Sequence, residues 1–202
     1  MVEFTSRLVK AINLAAQLHK DQRRKADPDI PFIVHPFSVA FIVSQHTSDE
    51  DVIIAALFHD VLEDVKKEKY SDRDLIRDFG ERVYKVVKGV SEQKDANISR
   101  EEERRTWRQR KQKYIDILKK ESKEALLVAC ADKIHNLYSL LEAYKRWGGR
   151  VWENFNAPDP KKENYIWYYE EMIKVLDRKL KNKRIVAQLK EVFKQARTEI
   201  FT

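Results

Sequence analysis

At 202 residues the chain has room for one sizeable core, or at most one domain with a helical extension, and its single cysteine excludes an intramolecular disulfide. With 4 Gly, 5 Pro, 36% charged and 43% hydrophobic residues it favours amphipathic helices; no apolar run reaches membrane-spanning length and no basic-then-apolar leader opens the chain, so a soluble, cytoplasmic protein is expected. The net charge of +7 suits a polyanionic partner such as a nucleotide, nucleic acid or membrane surface, and equally a Lys-rich solvated surface.

Helical signals follow one another along the chain. Phe4, Leu8, Ile12, Ala15 and His19 recur at helical spacing behind Thr5 or Ser6 as a cap, predicting a first helix over about 5–22. Pro36 suits a first helical position, with Phe37 to Ser44 continuing as a short apolar helix. Ser48 and Asp51 resemble a capping box opening the next helix, Ser71 and Asp74 repeat the signal, and Gly80 and Gly89 read as terminators. A polar loop is expected from Ser91 to Ser99, a charged helix over about 100–120, and an apolar one over about 123–144. Breaks at Gly148-Gly149 and from Asn156 to Asp159 precede two further helices. No run alternates like a strand, so the fold class expected is all-α: a single-domain helical bundle over 1–202, with a motif core at about 5–175.

Chemistry concentrates in three stretches. The first runs from Ala55 to Asp64, where an apolar helix ends by presenting His59, Asp60, Glu63 and Asp64. Such a cluster carries a large electrostatic cost unless a cation lies among the groups, and a divalent metal meets that need. The second, Leu126 to Leu137, places Asp132 on the face shared with Val128 and Asn136, where a core should be; a buried Arg or Lys partner would explain it as well as a metal. The third is His35 before Pro36, which taken alone reads as a hydrogen-bonded structural histidine. Together His35, His59, Asp60 and Asp132 form a mixed nitrogen and oxygen set suited to Mn²⁺, Fe²⁺ or Zn²⁺ with open positions, and the absence of a cysteine pair argues against structural zinc. Glu63 and Asp64 lie one turn beyond His59 and Asp60, and negative charge near a helix C-terminus opposes the dipole, so something other than solvation must favour it there. Cys130 reads as a small buried hydrophobe, and His19 as a core histidine with a backbone partner.

The order His, His-Asp, distant Asp resembles the HD-domain metal-dependent phosphohydrolases. The stretch Arg23 to Pro36 is similar to the Arg-Lys to Pro-Tyr-Ile-x-His-Pro signature of RelA/SpoT-type alarmone hydrolases, with the spacing of the short animal SpoT homologues. Ala55 to Asp64 resembles the family's Ala-Ala-Leu-Leu-His-Asp-x-x-Glu-Asp, and Ala131 to Leu137 its Ala-Asp-Arg/Lys-Leu-His-Asn stretch. The resemblance implies removal of the 3′-pyrophosphate of guanosine tetra- or pentaphosphate, with Mn²⁺ on His35, His59, Asp60 and Asp132, and Glu63 and Asp64 handling the attacking water. It also implies that Arg24 and Lys25 lie along the base and phosphates and that Asn136 hydrogen-bonds the substrate; as alternatives, the two cations are surface residues and Asn136 a cap or bridge between helices.

Arg104, Arg108 and Lys111 share a helical face that could cradle phosphate, and Trp107, Arg110, Lys111 and Tyr114 resemble the Trp-x-x-Arg-Lys-x-x-Tyr pattern of bacterial stand-alone hydrolases. Lys161 and Tyr165 fall near phosphate- and ribose-contacting positions of the short SpoT homologues, while Trp167, Tyr168 and Tyr169 read as core or interface aromatics. Phe32 stands where the family often has Tyr, and the Gly common after the Arg-Lys pair is missing, which bears on substrate choice rather than metal chemistry. The expectation is a hydrolase without synthetase activity that takes a guanosine polyphosphate and engages neither nucleic acid nor membrane, with a homo-oligomer left open. The alternatives are an HD phosphohydrolase of another nucleotide, such as NADPH or a nucleoside monophosphate, and a basic nucleic-acid-binding module.

Overall fold

A computed structural model describes residues 3–92 and 99–201; most of the expected polar loop from Ser91 to Ser99 therefore lies outside the described residues. Among the described residues the regular structure is helical, with one isolated bridge between Arg23 and Pro31. The helices are α1 (Ser6–Leu18), α2 (Val34–Ser44), α3 (Glu50–Phe58), α4 (Val61–Asp64), α5 (Asp72–Phe79), α6 (Glu81–Val90), α7 (Arg100–Arg105), α8 (Trp107–Leu118), α9 (Lys123–Trp147), α10 (Lys161–Lys179) and α11 (Lys183–Glu199). A 3₁₀ segment over Gly148–Asn154 occupies the break expected at the glycine pair.

The centre of the bundle is α9, which is buried without interruption from Ala125 to Ile134 and packs against α2, α3, α6, α10 and α11. A helix apolar on every side is stable only when surrounded, and α3 satisfies the same rule, with every residue from Val52 to Phe58 buried. These two helices carry the site: α3 ends at its edge and α9 supplies a carboxylate from its middle.

Helix termini show where local chemistry prevails and where packing overrides it. Ser71 and Asp74 form the expected reciprocal capping box of α5. At α3 the cap is Asp49, one residue after the expected Ser48; its carboxylate accepts the Asp51 amide and binds Arg82, and an acid at that end complements the helix dipole better than a hydroxyl. α1 stops at Leu18 rather than near residue 22, because the Lys69 ammonium takes the Leu18 carbonyl (2.9 Å) and the chain turns to bridge Arg23 with Pro31. α2 begins at Val34, before Pro36, which sits third in the helix where its missing N–H removes no intrahelical bond. The expected single charged helix divides at Thr106, whose hydroxyl donates to the Glu102 carbonyl (2.8 Å).

The two glycines read as terminators behave differently. Gly80 joins α5 to α6 at φ 90° and ψ 165°, a region essentially reserved for glycine. Gly89 lies inside α6, where a Cβ would meet the Glu121 carboxylate and the Ala125 methyl at 3.3 Å; its role is close approach to the start of α9, not termination. Gly80→Ala is expected to lower the unfolding free energy by about 1–3 kcal/mol. The check is a urea titration, in which the midpoint falls at unchanged slope; a wild-type midpoint would mean that the junction relaxes at no cost.

Candidate functional site

A cavity of about 480 Å³ opens where the loop after α1, the α3–α4 junction, α8, α9 and α10 meet. Its floor is the cluster that the sequence singles out. His35 comes from the first turn of α2, His59 from the C-cap of α3, Asp60 from the N-cap of α4 and Asp132 from mid-α9. In a continuous helix adjacent side chains diverge by about 100°. The helix expected to run through Glu63 instead breaks at His59-Asp60, which lets the His59 Nε2 and an Asp60 oxygen converge to 3.2 Å.

The donors face one another. His35 Nε2 lies 3.0 Å from His59 Nε2, 3.3 Å from Asp60 Oδ2 and 3.2 Å from Asp132 Oδ1. Among the described residues His35, His59 and Asp132 each offer a donor within 4.8 Å of the others, with Asp60 touching both imidazoles. Ligands held at about 2.1 Å from one cation at right angles to each other stand about 3 Å apart. The donor set therefore has the spacing and the nitrogen and oxygen chemistry of a divalent-cation site.

Tautomers and charges agree with that arrangement. His59 Nδ1–H donates to the Ala56 carbonyl (2.8 Å), so its Nε2 is free to face the cluster. His35 Nδ1 is 2.7 Å from His135 Nδ1, and burial together with His35 and Arg24 pushes His135 down to about 3, leaving it a neutral partner. Burial alone would lower His59, but Asp60 and Asp132 outweigh it and hold it at about 9. Burial would raise both carboxylates, yet the imidazoles keep Asp60 ionised, and Lys133 with His35 and His59 does the same for Asp132. Lys133, itself buried between the rings of Tyr114 and Tyr168, reaches Asp132 Oδ2 at 2.5 Å, so the Lys partner weighed as an alternative to a metal is present as well, on the carboxylate oxygen that does not face the histidines.

Glu63 and Asp64 sit on the one-turn α4 and both line the cavity. The Glu92 backbone amide donates to Glu63 Oε1 and the Gln22 side-chain amide to the Asp64 carbonyl (2.7 Å), so the turn is held from two sides. This resolves the dipole conflict, because the carboxylates belong to a separate turn opening at Asp60 rather than to the C-terminus of α3.

The cations expected to meet the substrate divide into two groups. Arg24, Lys25 and Lys111 line the cavity, with Asn136 and Tyr165. Arg24 donates to Asn136 Oδ1 (2.7 Å) and Asn136 in turn to Asp132 Oδ1 (2.5 Å), so Asn136 ties the loop that carries Arg24 to a carboxylate on its own helix rather than one helix to another. Arg104, Arg108 and Lys161 do not line it: Arg104 is exposed, Arg108 lies over Trp167 (4.3 Å) and donates to Asn164, and Lys161 donates to the Trp152 carbonyl (2.6 Å). The break at Thr106 takes Arg104 out of register with α8, whose inward face is Trp107, Arg110, Lys111 and Tyr114. Two participants escape sequence reasoning. Glu92, 8% exposed, pairs with Arg110 and Lys111 at 2.5 Å each but lies in a polar stretch that carries no signal. Gln22 stands two residues before Arg24, and nothing in its identity marks it.

Comparison with known proteins agrees with the geometry. A family description, HD domain, matches residues 11–157, a span that includes every residue of the histidine and aspartate cluster. The Danio rerio protein named guanosine-3′,5′-bis(diphosphate) 3′-pyrophosphohydrolase MESH1 is 36% identical over 138 residues, 67% of this chain and 70% of its own. The Homo sapiens protein of that name is 28% identical over 94% of both chains. A solved structure described as a metazoan ortholog of SpoT that hydrolyses ppGpp superposes with a TM-score of 0.75 at 26% identity, covering 96% of this chain and 98% of that one. With the cluster, the helical scaffold and relatives across most of its length in agreement, the chain belongs to the HD-domain family, in its RelA/SpoT-type hydrolase branch.

Proposed function

We propose that the protein is a Mn²⁺-dependent guanosine-3′,5′-bis(diphosphate) 3′-pyrophosphohydrolase, acting in the cytoplasm and converting ppGpp to GDP and pyrophosphate. The observation that carries this reading is the sharing of one cavity by a donor set of buried His35, His59 and Asp132 with half-buried Asp60, the carboxylates Glu63 and Asp64, and the cations Arg24, Lys25 and Lys111. The likeness to the MESH1 proteins supports the choice of substrate.

In this reading His35, His59, Asp60 and Asp132 hold the metal, which when bound supplies Lewis acidity toward water and phosphate. His35 then keeps its proton on Nδ1 and donates it to His135, leaving Nε2 bare. Glu63, held by the Glu92 amide, accepts the proton of the attacking water, and Asp64 on the same turn orients that water. Lys111 and Arg110, which line the same cavity, supply counter-charges for the departing pyrophosphate. Arg24 and Lys25 hold the guanosine end, a planar guanidinium suiting a purine face and an ammonium suiting phosphate.

His59→Ala and Asp132→Ala are each expected to abolish bound metal while preserving helical content, as measured by elemental analysis and circular dichroism. In the intact protein the metal must displace the proton that Asp60 and Asp132 hold on His59 up to about 9. Below that value affinity therefore rises with pH, weakening roughly 100-fold from pH 8 to pH 6 if one proton is exchanged per metal. A flat calorimetric profile over that range would show that metal binding displaces no proton from His59.

Glu63→Gln keeps an oxygen for the Glu92 amide but cannot take a proton, so turnover should fall by roughly two to four orders of magnitude with nucleotide binding retained. Near-native turnover at saturating Mn²⁺ would assign the proton to another group.

The substrate reading is checked by phosphorus NMR on the Mn²⁺-loaded protein with a nucleotide panel. Intact pyrophosphate released from the 3′ position of ppGpp is expected, and Arg24→Ala should raise KM more than it lowers kcat. Orthophosphate as the first product, or cleavage of NADPH or a nucleoside monophosphate in preference to ppGpp, would move the assignment to a different nucleotide.

A further inference from the structure

Gln22 has every polar atom engaged, and its bonds run to the two halves of the site. Its backbone amide donates to the His19 carbonyl (3.0 Å) and its carbonyl accepts the Phe32 amide (3.0 Å), closing the loop that carries Arg24 and Lys25. Its side-chain Nε2 donates to the Asp64 carbonyl (2.7 Å), and its Oε1 meets His19 Nδ1 at 2.5 Å. An amide oxygen can only accept, so His19 must carry its proton on Nδ1. Burial favours the neutral ring, and His19, 1% exposed and packed on Phe32 at 4.9 Å, has no partner at Nε2 among the described residues. The expected backbone partner of His19 is thus replaced by a side chain, and the histidine fixes which way the Gln22 amide points.

The bond to Asp64 matters because α4 is a single turn. So short a helix satisfies the Val61 carbonyl through the Val65 amide (3.1 Å), leaves the later carbonyls without helical partners and has little stability of its own. We infer that Gln22, oriented by His19, is a positioning residue that sets the turn carrying Glu63 and Asp64 in register with the segment carrying Arg24 and Lys25. The inference rests on the reading of Glu63 and Asp64 as the groups that handle water. It assigns the two bonds of Gln22 different effects. The backbone bond to Phe32 survives any substitution, so the nucleotide-facing loop stays in place, whereas the side-chain bond is the one of the two that reaches the catalytic turn, which the Glu92 amide also holds at Glu63.

Gln22→Glu is nearly isosteric, removes the donor to Asp64 and adds a carboxylate to the cavity wall, a charge that Gln22→Leu leaves out. In this variant kcat should fall about 10- to 100-fold, as for a small misplacement of a reacting group, with KM for ppGpp within about twofold of wild type. Gln22→Leu should behave alike. His19→Phe, which frees the amide to turn over, should lose part of the activity, and His19→Asn, whose side-chain N–H stands near the position of Nδ1, should recover it. Hydrogen exchange on the metal-free protein reads the same contact without turnover: amides over residues 63–66 should exchange about tenfold faster in Gln22→Glu, with the melting temperature unchanged. Unchanged exchange and kcat, or loss of activity accompanied by faster exchange throughout the protein and a matching rise in KM, would overturn the inference. A wild-type protein inactive on ppGpp would remove the proposed function alone, since the exchange comparison still decides the strut.

Discussion

Two buried imidazole nitrogens 3.0 Å apart, flanked by two ionised carboxylates, are the constraint around which the bundle is organised. Without a cation such a cluster must take up protons, and Asp60 and Asp132 keep one on His59 up to about 9. The surroundings are built to hold the donors at that separation. α3 is enclosed on all sides, so its C-cap cannot drift, and Asp132 belongs to the unbroken buried run of α9. A close-packed apolar frame changes shape little, which is what fixed ligand spacing requires.

The polar groups around the cluster work as a layer between the donors and the solvent. His135 takes the far nitrogen of His35, the Ala56 carbonyl that of His59, and Lys133 and Asn136 the oxygens of Asp132. Glu92 plays a comparable part beside Glu63: its amide steadies that carboxylate while its own holds Arg110 and Lys111. A buried acid between two cations keeps them extended and ready for an incoming anion at less desolvation cost than bare charges would carry. Cys130, by contrast, is inert: burial raises its thiol to about 12, in keeping with its reading as a small hydrophobe.

The sequence displays what is written in local pattern. Helical class, the α5 capping box and the three chemical stretches are all legible, because periodicity and caps act over a few residues and the donors are rare residue types in apolar settings. The break of the chain at His59-Asp60 is not legible. Nothing between Val52 and Asp64 is a helix breaker, and the turn is imposed by convergence on His35 and Asp132 from α2 and α9. The basic helix fails in the same way. Arg104, Arg108 and Lys111 share a face on an ideal helix, but a hydroxyl back-bond at Thr106 divides it, and only Lys111 reaches the cavity. Gln22 and Glu92 escape because their importance lies in partners 42 and 18 or 19 residues away, and no short-range rule reports on such distances.

The chain of bonds from Arg24 through Asn136 to Asp132 joins the residue proposed to meet the nucleotide to one proposed to hold the metal. A ligand that draws the guanidinium toward itself alters the partner left to Asn136, and with it the hydrogen bond that competes for the Asp132 oxygen. Thermodynamic reciprocity then requires that whatever factor nucleotide binding imposes on metal affinity, metal binding imposes on nucleotide affinity. On the proposed reading, nucleotides that engage Arg24 to different degrees leave the cation held with different firmness, so part of the choice among them is written in the metal affinity that each one leaves behind.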